Sequence, residues 1–143
     1  MNAMVSPFRI AQVMGLKRNV RSLRDLAALV SAGLPKSALN ASVAHVYPAG
    51  PDRTEMVYRI IPQATYKRRR VHLKSEESER TERLARVIAT AEYVWDDRKQ
   101  AQRFLTSPHA QLDGLRPIEA GLSELGARRV EELLWKLYYG LAA

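Results

Sequence analysis

GARRVEELLWKLYYGLAA, residues 126–143, is the stretch that decides the fold. Val130, Leu133, Leu134, Leu137, Tyr138 and Leu141 recur at spacings of three, one, three, one and three, which is the apolar stripe of an amphipathic α-helix. Trp135 and Tyr139, four residues apart, fall on a different face of a helix that already has its core stripe. Two readings of that pair stand. Exposed aromatics of this kind dock partner proteins, because Trp and Tyr are enriched at interface hot spots. The same residues would equally widen a core face or pack on a neighbouring helix.

Working back from this helix, the chain reads as helices and breakers. Gly126 is expected just before the last helix, and Pro117 begins a short helix to about Leu122. Leu112-Asp113-Gly114 reads as a loop. A helix from Asp97 to Leu105 is stopped by Ser107-Pro108. Before it runs a long helix from an N-cap at Ser75 to about Trp95, with Glu76, Glu77 and Glu79 near its start, where acids suit the helix dipole. Leu84, Val87, Ile88, Ala91 and Val94 form its apolar stripe.

Upstream lies a pair of short helices. Asp52 and Glu55 have capping-box spacing, ahead of Met56, Val57, Ile60 and Ile61. Pro62 breaks that helix, and a second follows over Gln63–Val71. Two short helices joined by a tight turn have the helix-turn-helix shape. Gln63, Thr65 and Tyr66 near the start of the second would meet base edges, while Lys67, Arg68, Arg69 and Arg70 would meet phosphates. The alternative is that the four cations form a solvated helix end, where positive charge also suits the dipole. The first fifty residues contain a helix capped by Ser22 with Asp25 and closed by Gly33, then one over Pro35–Val46 ended by Pro48-Ala49-Gly50-Pro51. A short helix over Phe8–Met14 precedes them. This N-terminal piece is too small to bury its apolar face alone, which predicts homodimerisation through it.

Charge divides the chain in the same place. Residues 1–74 hold 13 Lys and Arg against 3 Asp and Glu, a net of +10, whereas residues 75–143 hold 10 against 12, a net of −2. A basic half joined to a near-neutral half predicts a polyanion-binding region followed by one with another task.

Several of these residues resemble a known family. Phe104-Leu105, Pro108, Leu112-Asp113-Gly114-Leu115-Arg116-Pro117, Gly126 and Gly140 are spaced as in the C-terminal toxin-binding region of Xre/MbcA/ParS-type antitoxins. Phe104 stands where Trp is more usual. Ile61-Pro62-x-x-Thr65-x-x-Arg68-Arg69, together with Leu73–Arg80 and Arg83–Val87, resembles the subgroup whose partners carry a RES domain. Ile60-Ile61-Pro62 occupies the turn where the commonest Xre form has a Gly. The resemblance implies the antitoxin of a type II toxin–antitoxin module with a RES-domain, NAD⁺-degrading toxin. The last helix and its tail would cover the toxin's cleft, with Trp135, Tyr138, Tyr139, Gly140 and Leu141 as anchors and Arg128 or Arg129 as polar contacts. The helix-turn-helix would bind promoter DNA and make the protein an autorepressor.

The sequence favours no enzyme. His45, His72 and His109 are far apart without metal-ligand spacing, no cysteine is present, and no Gly-rich phosphate loop occurs. No cofactor, metal or membrane span is expected, and the absence of cysteine and of a secretory h-region fits a cytoplasmic protein. The expectation is an all-α, multi-helix protein with a central helix-turn-helix. Its segments are an N-terminal one (1–50), a DNA-binding region with a long connecting helix (51–96) and a toxin-binding region (97–143). The partners would be a RES-domain toxin, promoter DNA and a second copy of the chain. A stand-alone helix-turn-helix regulator with a C-terminal dimerisation region is the rival, and a basic RNA-binding protein is a third possibility.

Overall fold

A computed structural model describes residues 3–17 and 19–140, and among these the chain is all-helical. One helix organises the rest. Ser75–Trp95, 21 residues long and numbered α6 in chain order, spans about 30 Å at 1.5 Å per residue. Five helices precede it: α1 (Pro7–Val13), α2 (Leu23–Ala32), α3 (Ser37–Val46), α4 (Pro51–Ile60) and α5 (Gln63–Arg68). After it come α7 (Arg98–Thr106), a 3-10 turn (Ala110–Leu112), α8 (Pro117–Ala120) and α9 (Glu124–Tyr138). α9, α7, α1, α3 and α2 all pack on α6, and α7 also touches α3. The core runs the length of this spine, from Leu34, Leu39 and Ile61 through Met14 and Ile88 to Leu105, Leu112, Ile118 and Leu134, each less than 2% exposed.

Stripe and core agree on α6, where Leu84, Val87, Ile88 and Ala91 are all buried. Several ends differ from expectation, each for a local reason. α6 is capped from Lys74 and not by Ser75, because the Glu77 carboxylate reaches back to the Lys74 N–H at 2.9 Å. α4 has no Asp52–Glu55 box. Gly50, at φ 94°, turns the chain, and Pro51 starts the helix at the position where a missing N–H costs nothing. α5 stops at Arg68, three residues short of Val71. Pro35 sits before α3 and not in its first turn. It forms an isolated bridge with His72, flanked by Leu73 N–H to Leu34 O and Lys36 N–H to Val71 O, both 2.8 Å.

Gly126 lies inside the first turn of α9, which Ser123 caps by accepting from the Gly126 N–H at 3.0 Å. A Cβ at Gly126 would stand 1.8 Å from the Ala120 carbonyl oxygen, so only glycine lets the end of α8 approach α9 this closely. The N-terminal segment also departs from expectation. Ile10, Ala11, Val13, Met14, Leu39 and Val43 are buried within this chain, with α1 and α3 laid on α6. The apolar surface that suggested homodimerisation therefore has an intramolecular partner.

Candidate nucleic-acid and partner interfaces

The tip that carries the basic run is held by the loop between α2 and α3. At Gly33 (φ 101°) a Cβ would meet the Leu73 carbonyl oxygen at 2.5 Å, which brings that loop against the segment after α5. Lys36 lies beneath α5, and its ammonium donates to the Tyr66 carbonyl at 3.0 Å and the Arg69 carbonyl at 2.9 Å. A cation on the last carbonyls of a helix completes its unsatisfied end. The same ammonium stands 4.3 Å from the Tyr66 ring centroid. Tyr66 also meets Tyr58 edge-on and donates weakly from its hydroxyl to the Lys36 carbonyl at 3.4 Å. Its partial burial raises its phenol pKa, with a further push from Tyr58.

The four cations of the run are not equivalent. Lys67, Arg68 and Arg70 are exposed, as is Gln63 at the start of α5, while Thr65 is half-buried with the Arg68 guanidinium 3.4 Å from its hydroxyl. Arg69 is turned inward. Its Nε and Nη2 donate to the two oxygens of Glu77 at 2.8 and 2.7 Å, a bidentate pair in which Glu77 is itself buried. Glu77 Oε1 accepts as well from the start of α6. The Arg69 hydrogen bonds, helped by the Lys74 N–H and outweighing burial, hold the Glu77 carboxyl down at about 2 from its ordinary 4.5. Unlike the other three cations, which were expected with it to meet phosphates, Arg69 is engaged within the chain and fixes the turn after α5 to α6. Tyr66 likewise packs at the base of the tip. Gln63, Lys67, Arg68 and Arg70 remain exposed at the tip, with half-buried Thr65 beside them.

At the other end, the aromatics of α9 gather on the surface. Tyr138 and Tyr139 are 46% and 51% exposed, so Tyr138 is not part of the buried stripe, which ends with Leu133, Leu134 and half-buried Leu137. Trp135 is half-buried, with its ring 5.4 Å from Tyr138 and 6.3 Å from Tyr139. Tyr93, from α6, completes the group at 5.6 Å from Trp135 and 5.5 Å from Tyr138. The sequence pattern passes over Tyr93, although an aromatic beside the α6 stripe and not within it was its available signal. Gly140 follows at φ 69° and is exposed, while Leu141 lies outside the described residues.

The two arginines of α9 part company. Arg128 is seven residues before Trp135 and therefore on its face, and its guanidinium lies 3.4 Å from Glu124. Arg129 points sideways. It donates to Asp113 Oδ2 and to the Gln111 carbonyl, both at 3.1 Å, tying α9 to the loop after the 3-10 turn. Arg129 is nevertheless half exposed in this surface pair.

The orientation of α9 is set by ions as well as by packing. Arg86 sits between Glu82 at 3.0 Å and Glu131 at 3.1 Å, and Arg83 reaches Glu124 at 3.1 Å. Burial raises the carboxyl pKa of both Glu82 and Glu131. The spaced residues of the C-terminal stretch prove to be framework. Leu105, Leu112 and Pro117 are buried, Asp113 and Gly114 take left-handed conformations in the loop, and Phe104 packs between Trp95 and His109 with ring separations of 6.0 and 6.1 Å. No helix among the described residues is long and apolar enough to cross a membrane, and none of their side chains form a metal-binding group.

Comparison with known proteins matches these two ends separately. Residues 25–86, from α2 into α6, match the family model of the antitoxin Xre-like helix-turn-helix domain. Residues 90–140 match that of the antitoxin Xre/MbcA/ParS C-terminal toxin-binding domain. The two matches meet inside α6. The chain is also similar to the curated protein "Antitoxin Xre" of Pseudomonas putida, 34% identical over 85 residues, which are 57% of this chain and 54% of that protein. This chain thus spans about half the length of the relative it matches. The basic tip lies inside the first matched region and the aromatic cluster inside the second, so the chain carries matches both to the antitoxin Xre-like helix-turn-helix domain and to the antitoxin Xre/MbcA/ParS C-terminal toxin-binding domain.

Proposed function

We infer that this protein is the antitoxin of a type II toxin–antitoxin module, and that it blocks a RES-domain, NAD-degrading toxin by covering its cleft. The observation that carries this reading is the half-exposed aromatic group Trp135, Tyr138 and Tyr139 at the end of the matched toxin-binding region. Large aromatics left in water at a helix end are the anchors expected of a desolvated interface. Nothing in the arrangement calls for catalysis by this chain. Its part is steric and electrostatic, in a cytoplasmic complex.

The basic tip supports a second task on the same chain. Gln63, Lys67 and Arg68 on α5, and Arg70 just beyond it, are exposed, with Gln63 suited to a base edge and the cations to phosphates. The protein, alone or with its toxin, would bind its own promoter and repress it. A homodimer placing two such tips on one duplex belongs to this reading, and it would use surfaces other than the apolar faces of α1 and α3, which α6 already covers.

The test is co-expression with the RES-domain protein encoded beside this chain's gene. Copurification, with rescue of cells from that protein, is the expected result. Removing residues 140–143 should weaken rescue while the helical signal stays unchanged. If the two proteins fail to associate, or no such neighbour exists, the inference fails and a stand-alone regulator becomes the better account.

A further inference from the structure

Residues 3–9 lie outside both matched regions, yet they finish the surface on which the α9 aromatics sit. A hollow of about 420 Å³ is lined by Met4, Arg9, Tyr93, Trp135, Tyr138 and Tyr139, among others. Met4 is 59% exposed, so its thioether joins the two tyrosines in one apolar patch drawn from both ends of the chain. This placement is anchored by packing and a cap. Val5 and Ile10 are buried, and the Ser6 hydroxyl accepts from the Arg9 N–H at 3.2 Å to cap α1. Arg9 is exposed, its guanidinium carbon stands 4.9 Å from the Tyr93 ring centroid, and it makes no ion pair among the described residues. Glu92 of α6, which lines a neighbouring hollow with Arg9, already faces His45 at 2.8 Å and Arg98 at 3.6 Å.

We propose that Met4 and Arg9 are part of the toxin-contacting surface, with Arg9 receiving a carboxylate of the toxin beside the aromatic cluster. This rests on the reading that the cluster docks the toxin. Continuity carries it: four of the six residues named belong to the matched toxin-binding region, and the other two share their hollow. Chemistry adds to it. A guanidinium lying on a ring keeps its charge and is held in place, and its planar fork suits a carboxylate. An exposed apolar patch rimmed by a cation is what a partner with an acidic rim and an apolar centre would cover. The basic tip on α5 is a separate surface, so this arginine has no part in the polyanion reading.

The experiment is calorimetric titration of the full chain with the RES-domain protein encoded beside its gene. Arg9→Glu and Met4→Asp should each lower affinity at least tenfold, with the Arg9→Glu loss shrinking as salt rises. Arg9→Gln should lose part of that, and the melting temperature of all three should match the parent, since both side chains are exposed. Unchanged affinity in Arg9→Glu and Met4→Asp, alongside a loss in Trp135→Ala, would overturn this proposal and leave the docking reading intact. If Trp135→Ala also binds as the parent does, the docking reading falls with it.

Discussion

The basic run on α5 and the aromatic run on α9 look alike as sequence clusters but differ in structure. Lys67–Arg70 is contiguous, and the fold divides it by sending Arg69 inward to buried Glu77. Trp135, Tyr138 and Tyr139 are spread over a helical turn, and the fold enlarges their group with Tyr93 and Met4 from distant parts of the chain. A run of like residues therefore does not mark a site by itself. What matters is which members find a partner within the chain, because a buried charge must be paired whereas an exposed aromatic face stays open to something else.

The sharpest way to break this contrast is at the inward arginine. Arg69→Ala leaves Glu77 with the Lys74 N–H but without its guanidinium, and should lower folding stability more than removal of any other cation of the run, read by chemical denaturation. If Arg69 instead behaves as Arg68 does, the division of the run is wrong. The same pair predicts a pH dependence. The Glu77 carboxyl has a folded pKa of about 2, below its ordinary 4.5, so its contribution is complete above that ordinary value and is lost as pH falls toward 2. Glu77→Gln should lower stability at neutral pH and flatten the acid limb of the stability curve.

At the aromatic end, Trp135→Ala should weaken toxin binding by about 2 kcal/mol or more and leave promoter binding unchanged. Loss of both activities would mean that the tryptophan holds the fold together and not an interface. Gly126→Ala tests the framework beneath the cluster. The Ala120 carbonyl has no room for a methyl group, and a cost of about 1–3 kcal/mol in stability is expected, with toxin binding reduced in proportion. The smallest effect belongs to Arg68→Ala. It should leave the melting temperature alone and reduce the slope of log affinity for promoter DNA against log salt by about 1, as one phosphate contact is lost.

The helices were legible because their signals are local. The Ser22 cap, the stripe of α6, the proline stops and the stripe of α9 each act over a few residues, and the structure keeps the cap, the stops, the α6 stripe with Val94 half-buried, and the α9 stripe as far as Leu137. The α4 start differs because Gly50 and Pro51 turn the chain into the helix, and the α6 start because Glu77 reaches back to the Lys74 N–H. Gly126 was legible as necessary but not as to why, since its constraint is the backbone of another helix.

By itself the sequence determined the all-helical class, the charge division at residue 74 and the aromatic character of the last helix, because periodicity and charge are properties of neighbours along the chain. Only the tertiary structure decided that Arg69 pairs with Glu77, that Lys36 closes α5, and that Met4, Arg9 and Tyr93 stand beside Trp135 and Tyr139. Those roles depend on contacts between residues far apart in sequence, and it is the packing around α6 that brings them within reach.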